Sequence, residues 1–357
     1  MIHTTFNHKA TTGLSLVELM VAITISSVLL LGVSSVYLGS RHSNAVQDEF
    51  ARLQENGRFA IHSLVKEVRQ AGYQGCSNLK YISPTNIVAG GATFDFTNET
   101  MIVGHNDCNG GTCSPATPVA MPQISNATDA ITVRRASSCS GALAGNLGVE
   151  NANIAITDNA CGFDQNDVLF ITDCEKGDIF RVTNNPNQNG PAAIAHANGT
   201  NTTNRLSKVY DETARVMKFE QLTYYISTST NPGTNLAFPN RSLYVDRFAV
   251  EAGNDTIVTT ELVENVDDME IWYGVDTNND NSIDAFMDAT QVQAAAVWPG
   301  VMSVRIHLQT TTRDNVANQN NNANSTRFTF MGIQQNSNDR RYRREFNSTI
   351  NLRNRTL

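Results

Sequence analysis

The chain predicts an α+β fold, with one long N-terminal α-helix followed by an enlarged, disulfide-containing head built on antiparallel β-sheet. Three observations carry this. Apolar residues run almost unbroken from Leu14 to Leu38, and in the segment ending at Ala71 they recur every three or four positions, a helical period. After Gly72 the pattern changes to short β-type runs divided by Asn, Gly, Thr and Pro. All six cysteines fall between Cys76 and Cys174.

The helix follows a short polar leader, Met1–Gly13, whose one firm positive charge is Lys9. As a helix, Leu14–Leu38 is roughly 38 Å long, enough to cross a ~30 Å hydrocarbon core. Inside it stands one carboxylate, Glu18. Such a charge costs about 2.5–3.5 kcal/mol in a bilayer centre, so it needs a partner or a task. A secretory signal fits poorly, because the apolar stretch is too long, no Ala-x-Ala follows it, and the small residue, Gly13, comes before it. The plainer alternative is an anchor whose Glu18 stays hydrated at the membrane interface.

Beyond the apolar run, Val46, Phe50, Leu53, Gly57, Ile61, Leu64, Val68 and Ala71 define one helix face. Gln47, Glu49, Arg52, Glu55, Arg58, Lys66, Glu67 and Arg69 occupy the polar face, and Gly72 is the natural C-cap. Gly32, Ser34 and Ser35 are weak helix formers where local loosening is expected. The resulting division is 1–13 leader, 14–38 apolar helix, 39–75 amphipathic spine, 76–204 cysteine-containing β-rich region and 205–357 C-terminal β-rich region.

Strands are expected at Thr100–Val103, Ala130–Arg134, Asp167–Thr172, Asp178–Thr183, Met217–Ile226, Ser242–Val250, Met269–Val275, Val301–Thr310, Arg327–Phe330 and Glu345–Leu352. Asp288–Val297 offers a short helix. Asn184–Asn204 reads as a linker or long loop, and Asp314–Ser325 as an Asn-rich surface loop. With 17% charged and 40% hydrophobic residues the head is globular rather than disordered. The net charge of −8, made one unit more negative by loss of Lys9, argues against nonspecific binding to nucleic acid.

Gly13-Leu14-Ser15-Leu16-Val17-Glu18-Leu19 resembles the type IV prepilin cleavage motif, with Leu14 where the family most often has Phe. The resemblance implies cutting by prepilin peptidase between Gly13 and Leu14, then N-methylation of Leu14. Glu18 would be the assembly charge, neutralised in a filament by a neighbour's cationic amine at low dielectric. Later segments are similar to the PilW family of minor pilins: Ala71-Gly72-Tyr73-Gln74-Gly75-Cys76, Ile171-Thr172-Asp173-Cys174, Glu261–Val266, Tyr273–Asp276 and Ile350–Asn354. Asn265 replaces a glycine expected there.

That likeness implies a type IV pilin-like fold whose apolar helix half is embedded in membrane or filament. It implies a low-abundance or tip subunit that primes pilus assembly with other minor pilins and the major pilin, through the inner-membrane assembly machinery, and with a tip adhesin as a further partner. It also implies twitching motility, adhesion or DNA uptake, and a route from the inner membrane, head in the periplasm, to the pilus on the cell surface. A minor pseudopilin of type II secretion is the alternative, although it usually carries a smaller head. A membrane-tethered hydrolase would need catalytic residues, and G-x-S-x-G, G-x-G-x-x-G, P-loop and H-E-x-x-H signatures are all missing. No enzymatic activity and no required cofactor are expected.

In an exported head the cysteines read as disulfides. Cys108 and Cys113 enclose N-G-G-T, a loop short enough to close locally. Proximity suggests Cys139 with Cys161, leaving Cys76 with Cys174. A metal site is disfavoured because C-x-x-C is absent.

Asp276, Asn278, Asp280, Ser282 and Asp284 imitate the start of a calcium loop. The turn glycine is replaced by Asn281, and the closing acid falls on Met287, with Asp288 one place late. A polar turn after a strand is the simpler reading. Arg340, Arg341, Arg343, Arg344, Arg353 and Arg355 crowd the C-terminus, either as a DNA- or partner-binding edge or as a solvated strand face paired with acids elsewhere. A head of this size suits rare or terminal placement in a filament.

Overall fold

The computed structural model describes residues 13, 15–75, 82–90, 94–118, 121, 123–186, 191–230, 239–251, 254–313, 326–337 and 339–355. Leu14, Cys76, most of the leader and the Asn-rich loop lie outside the described residues. The chain divides into two units, 1–51 and 52–357.

Helix α1 is Leu16–Arg69. In the first unit its apolar residues face outward along the whole run, from Leu16 at 74% exposure to Leu38 at 64%. Thr24, Ser27 and Ser35 return their hydroxyls to backbone carbonyls three or four residues back.

In the second unit the helix buries Leu53, Gly57, Ala60, Leu64, Val68 and Ala71. All of these but Ala60 belong to the expected stripe; at that one position Ala60 is buried and Ile61 lies on the flank. Each fully buried Leu or Val contributes about 1.5–3 kcal/mol. Gly72 ends the helix at φ 73°, the left-handed conformation glycine adopts without steric penalty, and its N–H reaches the Arg134 carbonyl at 2.9 Å.

The strands are β1 (Thr85–Asn86), β2 (Ile102–Asn109), β3 (Thr112–Ser114), β4 (Thr128–Ala142), β5 (Ile154–Ile156), β6 (Val168–Thr172), β7 (Gly177–Arg181), β8 (Ala192–Ile194), β9 (Arg215–Thr228), β10 (Arg241–Glu251), β11 (Asn254–Glu264), β12 (Val266–Val275), β13 (Ala285–Met287), β14 (Val301–Thr311), β15 (Thr326–Phe330), β16 (Ile333–Ser337) and β17 (Arg343–Asn351). A nine-stranded sheet runs β1-β7-β6-β9-β4-β2-β3, with β10 also on β9 and β11 on β10. A four-stranded sheet runs β13-β12-β14-β17, and β15–β16 and β5–β8 form separate pairs. Among the named strands all pairings are antiparallel except β1 with β7.

One core joins the helix residues Ala60, Leu64 and Val68 to Ile131, Val133 and Leu222 of the large sheet and to Ile271, Ile306 and Ile350 of the small one. Edge-to-face phenyl contacts among Phe94, Phe96, Phe170 and Phe219 tighten it. Arg135 clamps Glu67 of the helix at 2.7 Å and Glu220 of β9 at 2.8 Å.

The expected strands all overlap observed ones, although β2 runs on to Asn109 and β4 to Ala142, well past the expected ends, and α2 (Ala289–Ala295) occupies the short helix. Two segments differ. Asn184–Asn204 is no simple linker, since β8 within it pairs with β5 and Asn201 is buried against Arg181. β11 adds a long edge strand where none was expected, because its half-exposed N-D-T-I-V-T-T-E run has only a weak apolar alternation.

Candidate functional site

The helix start is organised by its own sequence. Ser15 N–H donates to Glu18 Oε2 at 2.9 Å, and Glu18 N–H donates to Ser15 Oγ at 3.2 Å. This reciprocal pair is a capping box, satisfying two of the donors every helix N-terminus leaves open. The S-L-V-E spacing announces it directly. Glu18 therefore has a local task as well as its place as the single acid of the apolar run.

Gly13 is exposed, and a Cβ there would meet nothing within 4 Å. Packing in this chain does not demand glycine at that position. The apolar surface that follows is long enough to cross a membrane and is unburied. The described residues offer an exposed glycine, a capped helix start and an unburied apolar face.

Within the head, disulfides join Cys108 to Cys113 across the β2–β3 turn (Cα–Cα 4.1 Å) and Cys139 to Cys161 (Cα–Cα 5.7 Å). Cys174 is also disulfide-bonded, and its expected partner Cys76 lies outside the described residues.

The 276–284 loop is held by its own backbone. Asp276 accepts from the N–H groups of Asp280 and Asn281, Asp280 from Ser282, and Asp284 from Thr277. Asn279 and Asn281 take φ of 61° and 65°, which asparagine tolerates. Asp288, the acid nearest the missing closing position, is instead the N-cap of α2, accepting from Gln291 N–H at 2.8 Å. The loop thus presents oxygen side chains without a bidentate acid to close them round a cation.

A second acidic group was not foreseeable from spacing. Asp107, Asp129 and Glu270 each place an oxygen within 4.8 Å of the others. They come from β2, β4 and β12, which are remote in sequence. Asp129 accepts the N–H of Asp107 at 3.0 Å and of Ile271 at 2.8 Å. Burial pushes Asp129 up to about 7 and neighbouring Asp268 up to about 7. Burial and then the charge of Asp129 push Glu270 up to about 8.

The C-terminal arginines are not a uniform surface. Arg341 and Arg343 are engaged by Asp339, and Arg343 also by Asp267 at 2.8 Å. Arg355 is buried and donates to the carbonyls of Trp298, Val301 and Asn98. Arg341 and Arg343 thus pair with acids, as the strand-face alternative expects, but Arg341 and Arg355 are buried rather than solvated. Arg344 lies over the Phe346 ring at 5.5 Å.

Residues 223–354, from within β9 through β17, match the family model described as Type IV Pilus-assembly protein W. Residues 8–34 match the one described as Prokaryotic N-terminal methylation motif. No curated protein and no solved structure matches the chain.

Proposed function

We propose that this chain, a type IV pilus-assembly protein with an N-terminal methylation motif, is a minor pilin that primes filament assembly. One observation carries the reading. A capped, outward-facing apolar helix begins three residues beyond an exposed glycine, on a chain whose C-terminal region matches a pilus-assembly family.

In this reading prepilin peptidase cuts between Gly13 and Leu14 and the new Leu14 amine is methylated. Every atom of the capping box belongs to Ser15 and Glu18, so the cut leaves it in place. The helix anchors the chain in the inner membrane with the head in the periplasm, and then enters the filament beside other pilins. There the Glu18 carboxylate, already oriented at the first turn, meets a neighbour's amine in a medium where the attraction is strong. The size of the head favours the tip or rare positions over the regular shaft. No catalytic step and no cofactor enter this role.

A deletion strain scored together for pili, twitching, transformation and protein secretion tests the proposal. Loss of pili with intact secretion is expected. Loss of secretion alone would move the chain to the type II pseudopilins, and a first residue other than N-methylated Leu14 by mass spectrometry would overturn the processing scheme.

A further inference from the structure

The outward face of the four-stranded sheet carries a cleft remote in sequence from the N-terminal helix. Strand register places Trp272 beside Arg305 and Glu270 beside His307, while Asn347 lies across from His307 on β17. Trp272, Arg305, His307 and Asn347, with Phe286, Met331 and Glu345, line a cavity of about 580 Å³, within the size range of small-ligand sites.

Its polar groups are fixed. Glu345 accepts from Met331 N–H at 2.9 Å and from Asn347 at 3.2 Å, and contacts His307 Nδ1 at 2.6 Å. Burial raises the Glu345 carboxyl, but these hydrogen bonds outweigh it and hold it below its ordinary range. Glu345 is thus already engaged. Arg305 is different. Its guanidinium lies 3.9 Å from the Phe286 ring centroid and its Nε reaches Thr349 Oγ1 at 3.3 Å, while its two terminal nitrogens have no hydrogen-bond or ion-pair partner among the described residues.

Gly274 makes the stack possible. A Cβ there would clash with Ser303 Oγ and press on the Phe286 ring at 3.1 Å, so glycine leaves room for that ring beside the strand.

A flat guanidinium with both terminal N–H₂ groups available is a preorganised fork for a carboxylate. Trp272 supplies an adjacent flat apolar surface with an N–H on its rim. His307 and Asn347 supply groups suited to hydroxyls. We propose that this cleft binds a carboxylate-bearing sugar of the uronic-acid type, the carboxylate on Arg305 and the ring against Trp272. A neutral sugar leaves the fork unmet, and a simple aromatic acid brings no hydroxyls for His307 Nε2 and Asn347 Oδ1. The proposal does not depend on where the subunit sits in a filament.

The test is isothermal titration of the full chain in detergent micelles with a galacturonate trimer, the matching neutral galactose trimer, and benzoate. The acidic trimer should bind saturably and at least tenfold more tightly than either control. Arg305→Gln should abolish that preference, and Arg305→Lys should weaken binding by retaining charge without the fork. Arg344→Gln, on the other face of β17, should leave it unchanged. Circular dichroism and Tm establish that each variant is folded. No binding of the acidic trimer at millimolar concentration, equal binding of the neutral trimer or of benzoate, or full binding by a folded Arg305→Gln chain would each overturn the proposal.

Discussion

Gly57→Ala should destabilise the head through one contact. An ideal Cβ on Gly57 would stand 2.2, 2.4 and 2.6 Å from Cε2, Cδ2 and Cζ of Phe346 on β17. Ordinary carbon contacts are about 3.5–4.0 Å, so the ring must move by more than ~1 Å. Overpacking of this kind costs about 1–3 kcal/mol. Alanine in a helix gains about 1 kcal/mol over glycine, which offsets part of it. The expected net loss is therefore about 1 kcal/mol. In a Phe346→Ala background the clash is gone and the same change should stabilise by up to about 1 kcal/mol, a coupling of roughly 2 kcal/mol between the sites. Urea unfolding of the full chain in detergent, followed by fluorescence of the two tryptophans, Trp272 and Trp298, measures all four corners of the cycle. If Gly57→Ala has the same effect with and without the Phe346 ring, the packing of spine on small sheet is not what sets that glycine.

Asp129, Asp268 and Glu270 have raised folded values, so between about pH 4 and their values near 7 and 8 the folded chain holds protons that the unfolded chain has released. Their contribution to stability is lost as pH rises through that window, and the urea midpoint should fall from pH 5 to pH 8; a flat profile would show that the acids are ionised and neutralised in the fold. Replacing Cys139 and Cys161 by serine opens a loop of sequence separation 22, with an expected loss of about 3 kcal/mol seen as a lowered Tm. The Asp276 loop closes on its own N–H groups, so millimolar calcium should leave Tm unchanged; a rise that disappears in Asp276→Ala would establish a cation there.

Local periodicity made much of this architecture legible. The helix announces itself by three-and-four spacing, and Met269–Tyr273 and Val304–Leu308 alternate as half-buried strands do. The Cys108–Cys113 bridge follows from a turn whose two glycines, Gly110 and Gly111, both take positive φ. What stayed hidden depends on contacts between distant segments. The partner of Arg343 on β12, Asp267, lies 76 residues earlier and is found only once the two strands are folded together. The acidic group of Asp107, Asp129 and Glu270 exists only because β12 packs beside β4. β5 and β8 are three residues each, too short for any period to register.

Glu18 is where local and assembly chemistry can be separated. Its carboxylate has two conceivable uses, closing the capping box on Ser15 N–H and meeting a cationic amine of another subunit. Glutamine closes a capping box as glutamate does, but carries no charge. Glu18→Gln therefore keeps the helix start and removes the charge, whereas Glu18→Ala removes both and costs the helix about 0.5–2 kcal/mol, on the scale of a lost cap. If charge governs assembly, the two variants should be equally unable to enter filaments, although both reach the membrane and are processed to the same N-terminus. If Glu18→Gln assembles like the unchanged chain while Glu18→Ala does not, the acid is a helix cap and the charge pairing is wrong. Quantifying the processed subunit in sheared pili against the membrane fraction distinguishes these outcomes, since a processing defect would appear as retained leader rather than as missing filament.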